Sequence, residues 1–123
     1  MGAILIVENE PILAMELQAI VEDAGFGVAG PVATLDGARR ALRRTPVAAA
    51  LLDVALDGGA VVYPLAEELA LAGTPFIFAT ANGRWVDRRF ALVPVVHKPY
   101  RRAEILGALR HVLQASSRAE LRP

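Results

Sequence analysis

Polar side chains that could do chemistry interrupt this apolar chain at four places. Glu8-Asn9-Glu10 follows the run 3–7, Asp53 follows 47–52, Thr80 follows 76–79, and His97-Lys98-Pro99 closes the run that begins at 93. Together they supply carboxylates, one hydroxyl and one ammonium. There is no cysteine, so disulfides, thiolate nucleophiles and cysteine zinc sites are all excluded. Two histidines, His97 and His111, are too few for a histidine-built metal centre. Lys98 is the only lysine among 13 basic residues, the rest being arginine. It is either a chance survivor of compositional bias or a place where a compact, mobile ammonium is required.

The elements that must hold these residues alternate in period. Residues 3–7 form a β-branched, polar-free run, as a strand buried on both faces should. Pro11 sits where a helix can start without losing a hydrogen bond. Leu13, Leu17, Ile20, Val21 and Ala24 follow at spacings of three and four, and Gly25 ends that helix. A weaker strand is expected over 27–32. Thr34 is then a plausible N-cap for a helix over Leu35–Arg44, with Ala38, Ala41 and Leu42 inward.

The third strand, 47–52, stops at Asp53, and Gly58-Gly59 mark a loop. Val62, Leu65, Ala66 and Leu69 give the next helical stripe. A fourth strand runs over 76–79 and a fifth over 93–97, with 81–90 ambiguous between them. Ile105, Leu109, Val112 and Leu113 define a last helix, and 116–123 is expected to fray. Five βα units imply a parallel sheet with helices on both faces. In such a sheet, working residues lie beyond the carboxyl ends of the strands, where all four polar stretches fall.

Composition narrows the partners. A chain of 123 residues, 54% hydrophobic and 21% charged, suits one well-covered core and excludes a disordered segment. Thirteen basic and thirteen acidic residues give zero net charge, which argues against nonspecific grip on nucleic acid or an acidic membrane. The Arg39-Arg40 and Arg43-Arg44 pairs read as a solvated helix face. No apolar run approaches the ~18 residues needed to span a bilayer. The first residues lack the basic region of a signal peptide, so a cytoplasmic location is expected.

The pieces Ile4-Leu5-Ile6-Val7-Glu8-Asn9-Glu10-Pro11, Leu51-Leu52-Asp53-Val54, Thr80-Ala81 and Lys98-Pro99 resemble the response-regulator receiver domains of two-component signalling. The likeness covers residues 2–115 and implies a flavodoxin-like (βα)5 domain with strand order 2-1-3-4-5. Phe78-Ala79-Thr80 is similar to an alphaproteobacterial branch of single-domain receivers. In that branch a glycine and a tyrosine follow the threonine; here Ala81-Asn82-Gly83 stands instead.

The resemblance implies that Asp53 accepts a phosphoryl group from a histidine kinase or phosphotransfer protein. Phosphoryl transfer needs an in-line nucleophile, a metal to neutralise the oxygens, and further donors. Asp53 is the expected nucleophile. Lys98 and Thr80 are expected to donate to phosphoryl oxygens. Glu8, Asn9, Asp53 and the carbonyl of Ala55 are the expected Mg²⁺ ligands. The resemblance also implies a cis Lys98-Pro99 bond.

Two departures alter these expectations. Receivers of this kind usually carry two carboxylates after the first strand, whereas Asn9 brings an oxygen without charge. Weaker Mg²⁺ binding and slower phosphorylation are expected. Glu10 either compensates or belongs to the first turn of the helix, where an acid suits the dipole. Val95 stands where many receivers carry the aromatic residue that swings on activation. The switch is therefore expected in 81–90, with Trp85 as its probe; the competing reading has Val86 and Phe90 simply capping the core.

The expected function is that of a phosphoacceptor signalling protein, not an enzyme, acting through contacts with a downstream protein target. A degenerate receiver working without phosphorylation is the alternative. A flavodoxin-like cofactor binder is disfavoured, because Glu8-Asn9-Glu10 replaces a glycine-rich phosphate loop. His97 reads as a packed strand-end residue, not a phosphorelay histidine.

Overall fold

The computed structural model describes residues 2–56, 60–81 and 86–121. In chain order the elements are β1 (Ala3–Val7), α1 (Pro11–Asp23), β2 (Val28–Val32), α2 (Leu35–Arg44), β3 (Val47–Leu52), α3 (Tyr63–Leu71), β4 (Phe76–Thr80), β5 (Val95–His97) and α4 (Arg102–Leu121). The strands lie in the order β2-β1-β3-β4-β5, and every pairing is parallel. This is the flavodoxin-like receiver architecture expected from the strand-end motifs.

Alternation along each strand divides the core into two layers. Ile4, Ile6, Leu51, Ile77, Ala79 and Val96 face α1 and α4, meeting Leu17, Val21, Ile105 and Leu109. Leu5, Val7, Leu52, Phe76 and Phe78 face the other way, onto Ala38 of α2 and Leu65, Ala66 and Leu69 of α3. A strand buried on both faces tolerates no polar residue, which is why the first polar side chains appear where β1 and β3 end. Local signals agree with these boundaries. Pro11 opens α1, and the Thr34 hydroxyl caps α2 by accepting the Gly37 N–H at 3.0 Å, an interaction worth about 1 kcal/mol. Gly30, at φ +89°, precedes a cis Pro31, and a Cβ there would lie 3.0 Å from the Ile6 carbonyl oxygen. Among the described residues, no helix is long and apolar enough to cross a membrane.

Three expectations need correction. The fourth βα unit shows no helix among the described residues: between β4 and β5 they form only a 3-10 turn, Arg88–Phe90, capped by Asp87 accepting from the Arg89 N–H at 2.9 Å. Val86 and Phe90 are the residues of 86–90 that pack on the core, too few for a helical stripe. The end of the chain is not a frayed tail from 116. α4 continues to Leu121, because Ser116 through Leu121 contains no glycine or proline to stop it. β5 is also shorter than expected and starts at Val95, with His97 exposed and not packed. Gly58-Gly59, Asn82 and Trp85 lie outside the described residues.

Phe90 does cap the core. Its ring stacks on Tyr63 at 5.6 Å and meets Phe78 edge-on at 5.5 Å and Phe76 at 5.9 Å. The Tyr63 hydroxyl accepts the Asp87 N–H at 2.9 Å, and Arg89 pairs with Glu67 of α3. Residues 86–90 are thus pinned to α3 through Asp87, Arg89 and Phe90. Phe90→Ala is expected to destabilise the protein by about 3 kcal/mol and to raise amide exchange over 86–93. Denaturant unfolding with exchange mass spectrometry checks this; a loss below about 1 kcal/mol would mean the ring is not a core anchor.

Candidate functional site

The sheet register brings the polar residues to one edge. Val7 pairs with Leu52, the Asp53 N–H reaches the Val7 carbonyl at 2.8 Å, and the Lys98 N–H reaches the Thr80 carbonyl at 3.1 Å. Glu8, Asp53, Thr80 and Lys98 therefore leave β1, β3, β4 and β5 at the same level. Glu8 is 3% and Asp53 4% exposed, and Thr80 is also buried.

Lys98 joins the two acids. Its Nζ lies 3.1 Å from Asp53 Oδ2, 3.1 Å from Glu8 Oε1 and 3.4 Å from Glu8 Oε2. Glu10 Oε1 stands farther off at 3.7 Å, on a largely exposed side chain. Glu10 occupies the N-cap position of α1 but makes no side-chain cap. It combines the two roles weighed for it, near the helix dipole and within ion-pair reach of Lys98. The Lys98-Pro99 bond is cis.

Tyr100 is the residue that sequence reasoning missed. Its buried hydroxyl donates to Glu8 Oε1 at 2.6 Å. The available signal was a phenol two residues past the lysine, close enough in sequence to share its turn.

The charge balance follows from burial. Asp53 is pushed up to about 7, first by burial and then by the adjoining Glu8, with Lys98 pulling the other way. Burial also acts to raise Glu8. Hydrogen bonds from Asp53, Tyr100, the Glu10 amide and Lys98 outweigh it and hold Glu8 below its ordinary range. Burial likewise acts to lower Lys98, but the two carboxylates keep the ammonium above its usual value. Glu8 is the ionised member of the pair, and Asp53 holds the shared proton up to neutral pH.

The donor set suits a hard divalent cation. Glu8 and Asp53 present carboxylate oxygens, and the Lys98 ammonium beside both shows that positive charge is stable there. Among the described residues there is no group of three or more His, Cys, Asp or Glu able to hold a metal. Two carboxylates with amide, carbonyl and water oxygens is a pattern Mg²⁺ accepts. Asn9 is half-buried between Glu8 and Glu10. Ala55, two residues past Asp53, pairs with Val61 in an isolated antiparallel bridge.

A doubly wound parallel sheet with an acid pair and a lysine at its carboxyl edge defines the receiver class, and comparison with solved structures agrees. SdrG from Sphingomonas melonis Fr1 is 39% identical, covering 92% of this chain and 97% of that one, with a TM-score of 0.82. The chain belongs to the response-regulator receiver domains of two-component signalling and is similar to the alphaproteobacterial single-domain type. A receiver domain of a Pseudomonas aeruginosa sensor histidine kinase, solved with magnesium in its active-site cleft, is 27% identical over 92% of this chain and 98% of that one, with a TM-score of 0.78. The response regulator PhyR from Brucella abortus, 24% identical over 98% of this chain, shares the fold with a TM-score of 0.86; this chain spans 51% of its length. No family model and no curated protein matches the chain.

Proposed function

We propose that the protein is a phosphoacceptor response regulator, with Asp53 receiving a phosphoryl group from a histidine kinase or phosphotransfer protein. The observation that carries this reading is the Lys98 ammonium held 3.1 Å from both Glu8 and Asp53 in a buried acid pair at the strand ends.

In the transfer, an Asp53 carboxylate oxygen forms a bond to phosphorus as the P–N bond of the phosphohistidine breaks. The electron pair of that bond stays on the imidazole, which takes up a proton. Glu8, Asn9, Asp53 and the Ala55 carbonyl would hold a Mg²⁺ ion, which supplies charge neutralisation at the phosphoryl oxygens. Lys98 must leave its present position between the carboxylates to meet a phosphoryl oxygen, and its flexible stem allows that. Thr80, buried at the end of β4, is the hydroxyl for a further oxygen. Its movement would pass to the chain leading to 86–90, which Tyr63 and Phe90 anchor to α3. The protein is then a signalling switch that assists its own modification, working through a protein target.

Acetyl phosphate or phosphoramidate with Mg²⁺, followed by intact mass, tests the proposal. One added phosphoryl group is expected, and none at any Mg²⁺ concentration would remove it. SdrG has been solved in a BeF₃-activated conformation, so BeF₃ with Mg²⁺ is a second probe and should shift amide resonances at Thr80 and 86–90. Asn9 and Val95 favour the alternative, a receiver that signals without phosphorylation; absence of label with a retained partner contact would support it.

Asn9→Asp is expected to tighten Mg²⁺ binding about tenfold and to speed labelling at low Mg²⁺, because it adds one charged oxygen to a site with two. Calorimetric titration checks this. Unchanged affinity would place residue 9 outside the cation's reach.

A further inference from the structure

The Glu8 carboxylate is surrounded by donors of different mobility. Oε1 accepts the Tyr100 hydroxyl at 2.6 Å and faces Lys98 Nζ at 3.1 Å. Oε2 accepts the Glu10 N–H at 3.2 Å and faces the same ammonium at 3.4 Å. Lys98 sits on a flexible stem and can leave. The other two donors cannot. The Glu10 amide is backbone at the start of α1, and the Tyr100 ring is packed in the α1/α4 layer of the core with Ile105 and Leu109.

A buried phenol seeks an acceptor, and a buried carboxylate needs donors to stay charged. At 2.6 Å, this contact has the length of a charge-assisted O–H···O⁻ bond. Glutamate has one more rotatable bond than aspartate, so a carboxylate on this longer arm holds its direction only if something fixes it. Asn9 contributes no charge, which leaves Glu8 and Asp53 as the anionic ligands of the candidate cation site. The affinity of that site depends strongly on how well Glu8 is aimed.

We propose that Tyr100 is a positioning residue: its hydroxyl pins Oε1 of Glu8, so that the carboxylate meets a divalent cation already oriented. Groups that hold a metal ligand typically change affinity 10–100-fold when removed. The inference rests on the reading of Glu8 as a cation ligand, and it is independent of whether Asp53 is ever phosphorylated.

The test is calorimetric Mg²⁺ titration of the full, unphosphorylated chain as wild type, Tyr100→Phe, Glu8→Asp and the double variant. Tyr100→Phe keeps the ring in the core and removes only the oxygen. It is expected to weaken Mg²⁺ binding about tenfold while leaving the metal-free melting temperature within a few degrees of wild type. Glu8→Asp keeps the charge but draws the carboxylate back from the phenol, so adding Tyr100→Phe to it should change Mg²⁺ affinity no further. Three results overturn the proposal: wild-type affinity in Tyr100→Phe, an equal loss from Tyr100→Phe in both backgrounds, or a wild-type chain that takes up no Mg²⁺. Failure of the phosphoacceptor reading shows separately, as missing label on Asp53 while the titrations keep the expected pattern.

Discussion

Asp53→Asn is expected to abolish acid-labile, hydroxylamine-sensitive phosphorylation, and to make the metal-free protein more stable at neutral pH. The first effect follows from position: Asp53 is the carboxylate at the end of β3, beside Lys98 and Glu8. Label retained at the wild-type level in this variant would remove the central proposal.

The second effect follows from the shared proton. Folding raises Asp53 to about 7, so the folded chain holds a proton that an unfolded aspartate releases near pH 4. The stability this contributes is fully present below about pH 4 and is lost as pH rises through 7. The lowered Glu8 acts in the opposite sense, losing its contribution as pH falls below the ordinary glutamate range. The decline between about pH 5 and 8 therefore belongs to Asp53. Water at the open edge and the neighbouring ammonium reduce its size to about 1–2 kcal/mol. Chemical denaturation in EDTA at pH 5 and 8 should show wild type losing stability relative to Asp53→Asn by that amount. Parallel pH profiles would mean that the two acids do not share a proton.

Lys98→Met should separate two properties that a simple loss of function would change together. Without the ammonium, the rate of labelling by acetyl phosphate is expected to fall 10²–10³-fold, the usual effect of removing one charged or hydrogen-bonding stabiliser of a developing anion. Mg²⁺ should nevertheless bind more tightly, because Nζ presently occupies both Glu8 and Asp53 at 3.1 Å and competes for the same oxygens. The variant will also depend on the cation for stability, since a buried acid pair loses its compensating charge. Thermal melts with and without Mg²⁺ should then differ by several degrees more than in wild type. Weaker Mg²⁺ binding in Lys98→Met would mean the lysine helps build the cation site.

The fold was legible wherever burial and period spoke alone. Polar-free, β-branched runs of five or six residues bounded by turn signals read as strands covered on both faces, and their ends place Glu8, Asp53 and Lys98 on one edge before any coordinates are known. The cap at Thr34 and the helix start at Pro11 are local hydrogen-bond chemistry, readable from two or three residues. What ran wrong was also local. Ser116 through Leu121 lacks a strong apolar stripe, yet α4 propagates through it, because extending an existing helix requires no new nucleation.

Other features required the third dimension. How 86–90 is held depended on partners distant in sequence: Phe90 packs against rings from α3 and β4. Tyr100 donating to Glu8 spans 92 positions, and no spacing rule relates the two. The protonation of the site belongs to the same category. Residue types alone supply two acids and a base. Their burial within hydrogen-bond reach of one another makes Glu8 the anion and Asp53 the proton carrier, because the free energy of a buried charge depends on the donors around it and not on its own chemistry.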